Sequence, residues 1–466
     1  MNAPQSWTLA CDEPAPQWLS ARAESCRGLV QGSHGAAKWL MANYPRAKTL
    51  IPVDLSPRPE LLALSMGALL CGRNLLFMPQ REPAPKQAAR YNWLRRHNKL
   101  GKPISAEDLP ESFAGTIDSW PEPSTTASWT VFGSGSSGGE RAVRLELSQL
   151  AHAAAAQSLH LGMTPAQRWL LCLPLDHIGG LMAGLRAAWA GSSITLQAGF
   201  DAALVDATLP ACHGLSLVPT MAYRLLQQPQ QALSHNPIAL IGGAACPQDI
   251  ITGLIERGLR PLRCWGASET AAMMACQDLS QCGAAHCGRI IGDGEFHIQD
   301  QHQLWLRGKN IAGTGISAEG SQALCDDQGW LHSGDCASCD RDGNISILGR
   351  SDGAIHSGGI TIFPEAIEAR LNQNPWHYSC AVISIDDPQW GQCLVAAVAG
   401  IDADQREQFM TWCSEQCAPA ERPKHVLDYS VLPTLRTGKI DRQALSRRAQ
   451  LEQNLAAPPQ THTNHG

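Results

Sequence analysis

The stretch from Thr130 to Val143 limits what this chain can fold into more than any other, because its middle cannot pack a core. Four glycines and three serines fill the positions from Gly133 to Gly139. Ahead of them, Trp129–Phe132 is apolar, aromatic and β-branched, which predicts a strand. Behind them, Arg141–Leu147 alternates in polarity and predicts a second strand. Glycine lets the backbone turn through positive φ and approach a ligand closely. Successive exposed N–H groups form a concave nest for anions, and Ser134, Ser136 and Ser137 add hydroxyl donors. Arg141 adds positive charge, and a flexible surface loop is the plain alternative. Gly133, Gly135 and Gly138 satisfy G-x-G-x-x-G, but a dinucleotide fold needs a helix to open there, and a strand follows instead. No Gly-Lys-Ser/Thr ends the run, which excludes a P-loop. A strand–loop–strand anion cradle remains.

A chain of 466 residues exceeds one ordinary core, so two or more domains are expected. The net charge of −6, with no long basic run, argues against a nucleic-acid partner. No apolar run reaches the roughly 18 residues that span a bilayer, and residues 1–18 lack a secretion pattern. A soluble, cytoplasmic protein is expected. The 17 cysteines are scattered, often in apolar runs, as at Cys71, Cys172 and Cys393, and read as buried thiols. Cys336 and Cys339 have C-x-x-C spacing but lack the second pair a zinc site needs.

Helix and strand signals alternate along the chain. Pro59–Cys71 predicts a helix and Asn74–Met78 a strand, with a polar linker at Pro121–Thr126. Ser148 can cap a helix from Gln149 to about Leu161. The apolar strand Trp169–Leu173 runs into His177, which then stands where α/β folds bind ligands, although alone it reads as a polar loop residue. A strand from Ile238 ends in Gly242, Gly243, Ala244 and Ala245, small enough for a flat ligand or for tight packing. A third strand leads into Cys264-Trp265-Gly266-Ala267-Ser268-Glu269, where the Ser-Glu pair alone would be a helix cap. Asp335 closes Gly329-Trp330-Leu331-His332-Ser333-Gly334-Asp335, and a carboxylate there can accept two hydrogen bonds from a diol. The sharpest boundary follows at Arg350-Ser351-Asp352. Past it come Gly358 and Gly359, a small α/β segment with strands at Cys380–Ile385 and Cys393–Val398, and Lys439 after Gly438. Glu452–Gly466 reads as a disordered tail.

Seven of these motifs, in this order over roughly residues 130–445, resemble the adenylate-forming superfamily of acyl-CoA synthetases, adenylation domains and luciferases. The usual cradle, (S/T)-G-(S/T)-T-G-x-P-K, is altered here by Glu140 for proline and Arg141 for lysine. The run through His177 to Arg186 is most similar to the o-succinylbenzoate–CoA ligases of menaquinone synthesis. The resemblance implies an α/β chain: a large N-terminal domain of packed sheets and helices over 1–350, a small mobile α+β domain over 351–450, and a tail at 451–466. It implies a two-step ligase using ATP, Mg²⁺ and coenzyme A. A carboxylate attacks the α-phosphorus of ATP to give acyl-adenylate and pyrophosphate, and the thiol of coenzyme A then displaces AMP. By the same resemblance Ser134, Gly135, Ser136, Ser137, Gly138 and Arg141 hold phosphates, and Gly243, Trp265, Gly266 and Ser268 line the nucleotide. Asp335 and Arg350 hold ribose, and Glu269 with Ser268 holds Mg²⁺. His177, Gly243 and Ala244 line the acyl pocket, Asp352 is the hinge, Gly358 and Gly359 pass coenzyme A, and Lys439 is catalytic. Arg186 either meets a second substrate carboxylate or is a helix-surface arginine. Other readings stay open: another aryl or medium-chain acid, a carrier protein loaded in trans, a homodimer, or an inactive nucleotide-binding paralogue.

Overall fold

The computed structural model describes residues 6–9, 27–47, 49–55, 58–79, 84–97, 100–110, 113, 127–133, 141–229, 233–317, 319–357, 359–387, 389–434 and 440–456. Ser134, Gly135, Ser136, Ser137, Gly138, Gly358 and Lys439 lie outside the described residues, as does the Pro121–Thr126 linker. The chain divides into two compact units, one of Met1–Gln299, Leu304–Ser333 and Ser338–Ser346, the other of Asp300–Gln303, Gly334–Ala337 and Ile347–Gly466.

Two large sheets of the first unit position the candidate residues. One has the order Ser6–Leu9, Ser193–Gln197, Arg168–Leu171, Gly214–Leu217, Ile238–Ile241, Arg260–Trp265, Ala275–Cys276, Arg289–Ile290. Its five middle strands pair in parallel, from Ser193–Gln197 to Arg260–Trp265. Parallel neighbours need a crossover, and helices Ile178–Trp189, Pro219–Leu226 and Gln248–Glu256 supply it. Helices on both faces explain why Ile238–Ile241 is apolar and buried throughout, and why the middles of its parallel neighbours are buried, rather than alternating. Leu171, Leu196, Leu240 and Leu262 enter one core, while Leu170, Leu215, Ala239 and Ile241 enter a second on the opposite face.

The other sheet has the order Gly320–Ala323, Thr314–Ser317, Ala142–Glu146, Ser128–Phe132, Asn74–Phe77, Leu50–Val53. Ser128–Phe132 and Ala142–Glu146 pair antiparallel, so the glycine-serine stretch does join two strands of one ladder. Gly133 N–H donates to the Arg141 carbonyl at 3.0 Å and closes the ladder's end. The shared core takes Phe77, Trp129, Val131 and Val143 from this sheet. Helix Pro59–Leu70 joins it, and every residue from Leu61 to Leu70 is buried, as a helix apolar on all sides requires. Trp129 Nε1–H donates to the Ser65 carbonyl at 3.0 Å, fixing this helix to the strand that enters the stretch.

Helix Leu147–His160 starts two residues earlier than Ser148 capping predicts. Gln149 Oε1 accepts the Glu146 N–H at 2.8 Å, satisfying a helix-end donor without the serine.

The second unit holds a five-stranded sheet. Ile360–Ile362, Ile355–Ser357, Gly391–Ala399 and Ser379–Asp387 lie in that order, and His425–Tyr429 also pairs with Gly391–Ala399. Period-two alternation buries both faces. Val382, Leu394 and Val398 pack with Ile367 and Phe409, whereas Ile383, Val395 and Ala397 pack with Leu445 and Ala449. The last helix runs from Arg442 to Ala456, past the expected tail boundary at 450. Buried Leu445 and Ala449 anchor it, and Arg448 Nε donates to Glu452 Oε1 at 2.8 Å one turn on. Among the described residues every cysteine is a free thiol, no group of three His, Cys, Asp or Glu could hold a metal, and no helix is long and apolar enough to cross a membrane.

Candidate active site

In the first unit the candidate residues gather at the carboxyl ends of the parallel strands, where a crevice opens in α/β sheets. His177 is the last extended residue before helix Ile178–Trp189, and its carbonyl accepts the N–H groups of Gly180 and Leu181. A Cβ on Gly180 would lie 2.1 Å from the Pro174 carbonyl oxygen, so glycine is required for this helix to start so close to the strand end.

Two turns along, Arg186 is only 4% exposed, which overturns the helix-surface reading. The helix around it is apolar on nearly every side, and its Leu181, Met182, Leu185 and Ala188 are buried with it. Its Nη2 donates to Ser216 Oγ at 2.6 Å, its Nε has no hydrogen-bond partner among the described residues, and its guanidinium lies 6.0 Å from the Trp169 ring centre. Burial pushes its pKa down to about 10, against the opposing pull of Cys264 and Cys276. Burial in turn pushes the Cys264 thiol up to about 12 and the Cys276 thiol well above its usual range. Both thiols therefore stay neutral near pH 7, and no carboxylate among the described residues neutralises Arg186.

Cys264 also meets the glycine pair. A Cβ on Gly242 would sit 2.9 Å from its sulfur, and Gly243 has φ +82° with Val218 beside it. Gly243 and Ala244 are both exposed. Beyond Trp265, whose cross-strand partner is Ala275, Gly266 passes so close to the next loop that a Cβ would lie 1.5 Å from the Ala272 carbonyl oxygen.

Ser268–Thr270 forms a 3-10 turn, and Ala271 and Ala272 then take left-handed φ of +51° and +71°. For residues with a Cβ that costs about 1–2 kcal/mol each. Buried Gln157 donates to the carbonyls of Ala271 and Met273 at 3.0 Å each, Asn310 donates to the Thr270 carbonyl, and the Ala312 N–H to that of Glu269. Gln157 and Asn310 were not singled out from the sequence. The available signal was a glutamine in the otherwise apolar middle of an alanine-rich helix.

Held by this turn, Glu269 is 15% exposed, and its Oε1 accepts from Arg141 Nη2 at 2.5 Å. The cation that follows the glycine-serine stretch and the carboxylate of the third strand thus meet, although 128 residues separate them.

In the second unit Arg350 lies between two carboxylates. Its Nη1 is 3.4 Å from Asp335 Oδ1, and its Nε and Nη2 donate to the two oxygens of Asp352 at 3.2 and 3.3 Å. Gly334, at φ +74°, leaves room for the guanidinium, because a Cβ there would be 2.7 Å from Nη2. Ser351 Oγ–H donates to the Gly334 carbonyl and ties the two segments together. Gly359 has φ +81° with open space beside it.

Residues 80–314 match the family described as AMP-binding enzyme, and residues 366–439 match the AMP-binding enzyme C-terminal domain. The 2-succinylbenzoate–CoA ligase of Bacillus pumilus (strain SAFR-032) is 27% identical over 338 residues, 69% of this chain and 69% of that protein. That of Bacillus cereus (strain ATCC 14579) is 26% identical over 333 residues, 68% of each. Among solved structures, o-succinylbenzoate CoA synthetase from Bacillus subtilis in complex with the acyl-adenylate intermediate OSB-AMP superposes with a TM-score of 0.78 at 20% identity, covering 90% of this chain and 92% of that one. ATP-bound MatB from Rhodopseudomonas palustris gives 0.79 at 18% identity, covering 91% and 93%.

Proposed function

This chain belongs to the AMP-binding enzyme family, and from that premise we propose that it is an AMP-forming acid–CoA ligase that activates o-succinylbenzoate through an acyl-adenylate. The observation that carries the substrate is Arg186. A buried guanidinium without a counter-charge is costly, and the cost falls when an anion arrives. o-Succinylbenzoate has two carboxylates, so one can be activated while the other meets Arg186. Ser216, already bonded to Nη2, keeps the guanidinium oriented for that contact.

The chemical difficulty is an anion approaching a polyanion, which positioning and well-placed cations relieve. Arg141 with the glycine-serine stretch, Ser134, Gly135, Ser136, Ser137 and Gly138, would bind the terminal phosphates of ATP. Trp265, Gly266, Gly243 and Ser268 would line the nucleotide, and Asp335 and Arg350 would hold ribose. His177 and Ala244 would border the acyl group. Lys439 would serve the carboxylate and α-phosphate during adenylation, Asp352 the hinge, and Gly358 with Gly359 the pantetheine arm of coenzyme A. The donor set suits Mg²⁺, a hard ion bound in such sites through one or two protein oxygen ligands, with phosphate and water oxygens besides. Glu269 and Ser268 would hold it, and when bound it supplies positive charge to the triphosphate.

The test compares o-succinylbenzoate with β-benzoylpropionate, which keeps the activated chain and lacks the ring carboxylate. Wild type should prefer o-succinylbenzoate, and Arg186→Gln should lower its kcat/KM by about 10²-fold, the order expected for a buried charge contact, with little change for β-benzoylpropionate. Equal losses on both acids, or no preference in wild type, would overturn the substrate assignment.

A further inference from the structure

Resting on the assignment of Glu269 to the divalent cation, we propose that Arg141 is the built-in counterion of Glu269 before nucleotide binds, so that the metal enters by displacing a guanidinium. The two partners differ in freedom. Glu269 is fixed through its own carbonyl to Ala312 and sits on the turn that Gln157 and Asn310 pin. Arg141 is 42% exposed and reaches Glu269 from the end of its strand on a long flexible arm. Gly315 gives that arm its path, because a Cβ there would lie 3.1 Å from Arg141 Cδ.

A carboxylate oxygen that accepts from a guanidinium is shielded from a cation by a like charge. The guanidinium itself is well suited to phosphate oxygens. A triphosphate that draws Arg141 away therefore frees Glu269, and by linkage a metal on Glu269 frees Arg141 for the phosphates. Lysine, the residue usual in this motif, would offer one point charge where arginine offers a planar fork. Metal and nucleotide thus become coupled through one side chain, and the nucleotide-free protein holds divalent cations weakly.

The probe is Mn²⁺ alone, titrated into the full chain without nucleotide and followed by the electron paramagnetic resonance signal of the free ion. Thermal melts establish that each variant is folded. Arg141→Gln should bind Mn²⁺ about fivefold more tightly than wild type, the upper range for a partly exposed ion pair. Arg141→Lys should stay close to wild type. Arg144→Gln removes the same charge three residues away and should not tighten binding. Glu269→Gln should abolish the Mn²⁺ site in both backgrounds. If Arg141→Gln binds no more tightly than wild type, or Arg144→Gln tightens binding equally, the counterion role is overturned while the metal assignment stands. If Glu269→Gln leaves Mn²⁺ binding unchanged, the metal assignment falls and this inference with it.

Discussion

Arg186 and Glu269 carry opposite charges in places short of water, and the fold treats them differently. Glu269 has a partner within the chain, Arg141, whereas among the described residues Arg186 meets a serine hydroxyl, an indole face and neutral thiols but no carboxylate. The first arrangement suits a charge to be exchanged, and the second suits one that waits for a substrate. Backbone strain belongs to the same scale. Ala272 holds φ +71° without glycine's freedom, so Ala272→Gly should raise stability by about 1 kcal/mol. The midpoint of urea denaturation would report it, and a fall instead would mean that the methyl group packs well enough to outweigh the strain. The burial of Arg186 was partly legible beforehand, because a helix with no polar face leaves an arginine within it nowhere to go but inside.

Helix Leu147–His160 is an example of an element whose importance is not local. It follows the strand that leaves the glycine-serine stretch, and its buried Gln157 closes the turn carrying Glu269. Gln157→Leu would strip two buried carbonyls of their donor, at about 2–3 kcal/mol. Acyl-adenylate formation should fall with the loss of stability, and Mn²⁺ affinity should fall too, since the carboxylate loses its platform. Denaturant titration and metal binding on the same samples would check both. Helix Pro59–Leu70 shows tight packing of another kind. A Cβ on Gly67 would lie 2.7 Å from the Ser33 carbonyl oxygen and 2.9 Å from Ala36 Cβ of helix Arg27–Asn43, so Gly67→Ala should push the two helices apart. The expected cost is about 1–3 kcal/mol, the range for overpacking, read as a lower denaturation midpoint.

At the scale of the whole molecule the two units divide the proposed chemistry, with the Arg186 and Glu269 sites in one and the Asp335–Arg350–Asp352 cluster in the other. Lys439→Ala should slow adenylate formation by roughly 10²–10³-fold, the loss expected when one preorganised charge is removed. Thioester formation from supplied acyl-adenylate should be largely spared. Pyrophosphate exchange and single-turnover measurements separate the two half-reactions, and equal losses in both would contradict a lysine that acts in adenylation only. The sequence alone determined the strands on either side of the glycine-serine stretch, the alternation that makes a parallel sheet, and the order of motifs along the chain. All of these are written in local periodicity and turn chemistry. Tertiary structure decided that Arg141 would meet Glu269, that Arg186 would lie among Ser216, Trp169 and Cys264, and that Leu50–Val53 would pair with Asn74–Phe77. Periodicity states which face of a segment is apolar and is silent on which distant segment will cover it. That choice belongs to non-local packing, and the charges brought together by it are the ones on which the proposed chemistry depends.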